Sequence, residues 1–127
     1  MARVEKTRNG GTWSESQFWG TVRSSLRRSF RYWKPMQQAK IDSRRKNQSD
    51  NKRLKWEFQC KHCEQWWPDK EIQIDHIVPV GSLRCSEDLI GFVERLTPEH
   101  GFQVLCVPCH QVKTNSEREA KNNGENK

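Results

Sequence analysis

Two cysteine pairs, Cys60-Lys-His-Cys63 and Cys106-Val-Pro-Cys109, constrain this 127-residue chain more than any other feature. Each C-x-x-C spacing lets one tight turn present two thiolates, and two such turns complete a tetrahedral four-sulfur zinc site. Apolar residues make up only 32% of the chain, so there is little core to draw on, and small domains of this kind commonly need a metal or disulfide staple. The start, MARVEKTRNGG, lacks the apolar stretch of an export signal, and no run long enough to span a membrane follows. A cytoplasmic setting is therefore expected, and paired thiols in a reducing compartment favour metal over disulfides.

Three other uses of the pairs fit less well. Cys106-Val-Pro-Cys109-His110 has the form of a haem attachment site, but proteins that carry one are exported. No βαβ pattern frames a thioredoxin-like redox pair, and no H-x-E precedes the second pair as zinc deaminase chemistry requires. His62 lies inside a complete pair and is expected to be exposed. Cys85 is left over as a small thiol with no assigned role. The pairs stand about 40 residues apart, against roughly 15–20 in a simple zinc ribbon. The insertion must therefore carry structure of its own.

The charge is uneven. Residues 1–55 hold 15 Lys/Arg and 4 Asp/Glu, whereas residues 56–127 hold 8 and 12. A basic arm on a mildly acidic module suits a polyanionic partner, although a solvated basic tail gives the same count. Trp19, Val22, Leu26, Phe30 and Trp33 recur at helical steps, which predicts a helix over 13–32 that docks its tryptophans on the domain. Thr12 with Glu15 has the form of its capping box, and Pro35 ends it. Arg23, Arg27, Arg28 and Arg31 are the candidate phosphate contacts. A shorter helix from Pro35 to Arg45 and a polar linker, NQSDNK from Asn47 to Lys52, complete the arm.

Downstream, Glu71 to Val80 alternates polar and apolar residues before a bend at Pro79-Val80-Gly81, the pattern of a half-buried strand. Ser86 to Leu96 predicts a short packing helix with acids in its first turn. Gln103 to Leu105 reads as a strand, Pro108 to Ala120 as a helix, and 121–127 as a frayed tail. Trp66 and Trp67 are expected to close the core beneath the first cysteine turn.

Taken in order, three segments carry a resemblance: Cys60-Lys-His-Cys63, Asp75-His76-Ile-Val-Pro-Val80, and Gln103-Val-Leu-Cys106-Val-Pro-Cys109-His110-Gln-Val-Lys113-Thr114. Together they resemble a zinc-containing HNH endonuclease of the ββα-metal class, especially small HNH proteins encoded by bacteriophages. The resemblance covers about residues 54–116. It implies an α+β fold in which a small zinc-stapled ββα-metal module, residues 54–120, follows a basic helical arm, residues 1–53, and precedes the tail. It also implies that Cys60, Cys63, Cys106 and Cys109 hold structural Zn2+, and that Asp75 and His110 bind a catalytic divalent cation, Mg2+, Mn2+, Ni2+ or Zn2+. His76 becomes the general base for DNA phosphodiester hydrolysis, nicking one strand per site. Lys113, one turn beyond His110, can reach a phosphate or stand solvated. Family context adds a phage packaging partner such as a terminase, in the host cytoplasm, with no membrane involved.

The chain departs from the family at the middle letter of the motif. Where an asparagine stands in the family, before Phe102, this sequence has His100-Gly101. His100, Gln103 or the backbone of Gly101 must take over its hydrogen bonds, since glycine offers no side chain. The departure keeps a second class of function open: a zinc-knuckle nucleic-acid-binding or packaging accessory protein without turnover.

Overall fold

The computed structural model describes residues 3–125, with side chains through residue 122. It is a small α+β fold with four α-helices and two small antiparallel sheets among the described residues. Contacts divide it into two compact units: the residues up to Lys34 with Val78–Gly101, and Pro35–Ile77 with the residues from Phe102 onward. These units cut across the boundary expected at residues 53/54.

In the first unit, helix α1 (Glu15–Ser29) turns its apolar stripe onto α3 (Leu89–Leu96). Trp19, Val80, Leu83, Phe92 and Leu96 form the buried cluster, and Val22, Leu26 and Phe30 pack against it. Trp33 adds a hydrogen bond from its indole N–H to the Pro98 carbonyl, 2.8 Å. The tryptophans of the stripe thus dock as expected, on the 78–101 excursion. The cap differs from expectation: Ser14, not Thr12, is the N-cap, and it exchanges hydrogen bonds with Gln17 at 3.2 and 2.8 Å. Thr12 is occupied one turn earlier, donating its hydroxyl to Asn9 O at 2.7 Å. Glu15 instead pairs with Arg8. The helix also ends at Ser29 rather than at 32, because residues 30–33 turn into α2 (Lys34–Asp42) with Pro35 in its first turn, where a missing N–H costs nothing. Ser86–Asp88 is a 3-10 turn leading into α3, so the expected helix begins later.

In the second unit α2 stops at Asp42, not at 45, because Arg44–Lys46 leaves it as strand β1. This strand pairs antiparallel with β2 (Trp56–Gln59), which pairs with β3 (Trp66–Trp67). The polar run expected to be a linker is the β1–β2 connection. Asn47 ties it together, donating its amide N–H to Asn51 O and Leu54 O at 2.7 and 3.1 Å. Trp67 packs against Phe58, Ile72 and Val104 and also against the Cys60, Leu105 and Cys106 cluster, closing the core beneath the cysteine turn. Trp66 lies under the Arg45 guanidinium instead, whose carbon stands 3.8 Å from the Trp66 ring centroid.

Strand β4 (Ile72–His76) pairs antiparallel with β5 (Phe102–Cys106), and α4 (Val107–Glu125) follows β5 without a break. Helix α4 continues past Ala120, so residues 121–125 are helical; the last two residues of the expected tail lie outside the described residues. No helix among the described residues is long and apolar enough to cross a membrane.

Candidate metal centre and active site

The two cysteine turns meet because strand and turn are bonded to each other. Cys60 and Cys63 flank the turn after β2; Lys61 N–H donates to Val104 O on β5 at 2.8 Å. Glu64, at φ 62°, closes that turn in the left-handed region. Cys106 ends β5, and Cys109 sits in the first turn of α4. All four Sγ atoms lie within 4.8 Å of one another, and Cys63 and Cys106 are 3.9 Å apart. Four sulfurs about 2.3 Å from one zinc ion stand about 3.8 Å from each other. The donor set and spacing thus suit a structural Zn2+, and every cysteine in the chain is free of a disulfide.

The electrostatics of the thiols agree. Burial pushes the Cys60 thiol up, but the backbone N–H groups of Cys63, Cys106 and His62 outweigh it and bring it down to about 6. Cys109 is pushed up to about 12, chiefly by its hydrogen bond to Cys106, then by burial and the neighbouring Cys60 and Cys63 sulfurs. Burial likewise raises Cys106. Crowded thiols oppose each other's ionisation, and a divalent cation relieves that opposition. His62 is exposed, as expected, yet its Nδ1 sits 3.5 Å from Cys109 Sγ, where a ring N–H can orient a ligand sulfur. Cys85 is half-buried and away from the cluster.

Beside this centre, Asp75 and His110 come together from the two separate stretches of the second unit. Asp75 Oδ1 lies 3.5 Å from His110 Nε2, and the carboxylate is largely buried. Its other oxygen takes 2.9 Å from Gln103 Nε2 and 2.7 Å from Lys113 Nζ. Helical spacing puts His110, Lys113 and Glu117 on one face of α4, so Lys113 also bonds Glu117 at 2.8 Å and the His76 carbonyl at 2.9 Å. Burial lowers the Lys113 pKa, but the bonds to Asp75 and Glu117 outweigh it and hold it above the usual lysine value. Lys113 is thus neither a free helix-face charge nor turned outward toward a ligand.

Asp75 and His110 converge, and His76, next to Asp75 at the end of β4, rests its ring edge-on against Phe102, its cross-strand partner, 4.8 Å between centroids. Among the described residues the four cysteines are the only group of three or more metal-ligating side chains. Of the candidates for the missing asparagine, Gln103 is the one that reaches the carboxylate; Gly101, at φ 103°, serves a turn that favours glycine, and His100 is exposed. The arginines of α1 are exposed, but Arg27 lies 5.7 Å over the Phe92 ring, where burial and then Arg23 lower its pKa. Arg31 lies over Tyr32 at 4.8 Å. Glu117 and the His62–sulfur bond escaped the sequence reading, though the i,i+4 spacing of Lys113 and Glu117 could have disclosed the first.

Comparison with protein-family models, with curated proteins and with solved structures gives no match.

Proposed function

We propose that this chain is a metal-dependent endonuclease of the HNH type that nicks DNA. The observation that carries the reading is the meeting of Asp75 and His110, one from β4 and one from α4, directly after the second cysteine pair. Two donors each about 2.1 Å from one cation can stand up to about 4.2 Å apart, so a separation of 3.5 Å suits a shared divalent ion. When bound there, Mg2+, Mn2+, Ni2+ or Zn2+ supplies positive charge to the scissile phosphate and the leaving oxygen.

The chain's own residues do the rest. Gln103 and Lys113 fix the carboxylate from one side and leave Oδ1 turned toward His110. His76 accepts the proton of the attacking water on an imidazole nitrogen, the usual role of histidine as a general base. Lys113 serves to position Asp75 rather than to bind phosphate, since its ammonium is already bonded to three oxygens. The α1 arginines and the basic first half of the chain supply sequence-independent affinity for DNA.

Nicking of supercoiled plasmid with added magnesium, manganese or nickel tests the reading. Wild type is expected to give open circles, and His76→Ala or His110→Ala to lose activity at least a hundredfold with zinc retained. Equal cutting by His76→Ala removes that residue from the mechanism. The His100-Gly101 that stands where the family has its asparagine supports a second reading: a zinc-knuckle nucleic-acid-binding accessory protein, in phage DNA packaging, that does not cleave DNA with any of these ions.

A further inference from the structure

We propose that the recess bounded by α2, β1 and β2 is a binding site for single-stranded nucleic acid, with an unpaired base on Trp56 and the adjoining phosphates on Arg44, Arg53 and Lys55. The recess has a volume of ≈ 400 Å³ and lies wholly within the second unit. One flank of Trp56 packs on the Phe58–Ile72–Val104 cluster, and the residue also lines the recess.

Three of its four cations are not spent on carboxylates. Lys40 pairs with Asp69, but Arg44, Arg53 and Lys55 form no ion pair with a carboxylate among the described residues, and all three are exposed. Arg44 and Lys55 gather at the indole instead, and Arg53 lines the same recess. Arg44 stands 4.0 Å over the Trp56 ring and Lys55 5.8 Å from it, while Lys46 lies opposite Trp56 in the β1–β2 register. Stacking cations on an aromatic ring keeps their positive charge available to a phosphate, and an arriving base takes the place of Arg44 on the indole and leaves its guanidinium to the adjoining phosphate. Positive charge flanking an aromatic platform is the combination that holds single strands, because every base has a face to stack and every linkage a charge. A duplex keeps its bases paired and stacked, so it can use only the cations.

The proposal takes the nucleic-acid substrate from the reading above but not the cleavage chemistry, so the two fail separately. The zinc-loaded full chain, without added divalent cation, is titrated with labelled oligothymidylate and oligouridylate dodecamers, an abasic dodecamer and a duplex of equal length. Wild type is expected to bind the thymidine dodecamer more tightly than the abasic strand or the duplex, and the uridine arm tells whether RNA is taken equally. Trp56→Ala should weaken the thymidine strand about tenfold or more and leave the abasic strand unchanged. Arg53→Gln with Lys55→Gln should weaken both strands and flatten the salt dependence by about 0.7 per lost phosphate contact. If Trp56→Ala loses zinc or fold, the exposed double variant and the wild-type comparison of thymidine with abasic strand decide. Equal affinity for those two strands, no loss in the double variant, or equal competition by polyglutamate overturns the proposal. A chain that binds as described and never nicks sinks only the nuclease reading.

Discussion

The two oxygens of Asp75 have different partners, and that division is the basis of the candidate site. Oδ2 is held by Gln103 and Lys113, while Oδ1 faces His110. Removing one partner of a largely buried carboxylate leaves charge uncompensated. Lys113→Met is therefore expected to cost about 1–3 kcal/mol in urea unfolding of the zinc-loaded protein; an unchanged midpoint would show that the ammonium is a bystander. The cysteines were legible at this scale because C-x-x-C is a local spacing that puts two thiols on one turn, and two such pairs complete a four-sulfur set. The bond from Gln103 to Asp75 was less so, since it depends on the register of two strands separated by a long excursion, and register cannot be counted from either strand alone.

Among the elements, the helices were readable where a stripe of apolar residues repeats at the helical period, as in α1, and their ends were not. The sequence put the cap of α1 at Thr12, whereas Ser14 caps it and Thr12 is drawn into the preceding turn. Ser14→Ala should thus cost about 1 kcal/mol of stability, and Thr12→Ala much less, in parallel thermal melts. The reverse order would restore the sequence-based assignment. Strand β1 was hidden for a different reason. Arg44-Arg45-Lys46 has no apolar alternation, and it becomes a strand through its ladder to β2, with Arg45 bonded to the buried Glu57 at 2.6 Å and stacked over Trp66. Once β1 is recognised, the polar run after it changes from a linker into a hairpin connection.

For the molecule as a whole, the arm-and-module division was the part least legible in the sequence. Helix α1 shares a core with residues 78–101, so the first unit is built from two distant stretches, as contiguous composition counts cannot reveal. The second unit is likewise discontinuous, and its two stretches meet at the cysteines. Cys60 and Cys63 come from one, Cys106 and Cys109 from the other, and the core around them is small. A structural zinc ion can supply on the order of 10 kcal/mol of apparent folding energy in such a setting. The same ion would fix the first turn of α4, and with it the position of His110 beside Asp75. The most direct measurement is the zinc content of the purified protein, taken together with its folding, for wild type, Cys106→Ser and Asp75→Ala. One tightly held zinc per chain, lost with the fold in Cys106→Ser and kept in Asp75→Ala, is the expected result; a folded wild type without zinc, or a Cys106→Ser variant equally stable, would contradict the account.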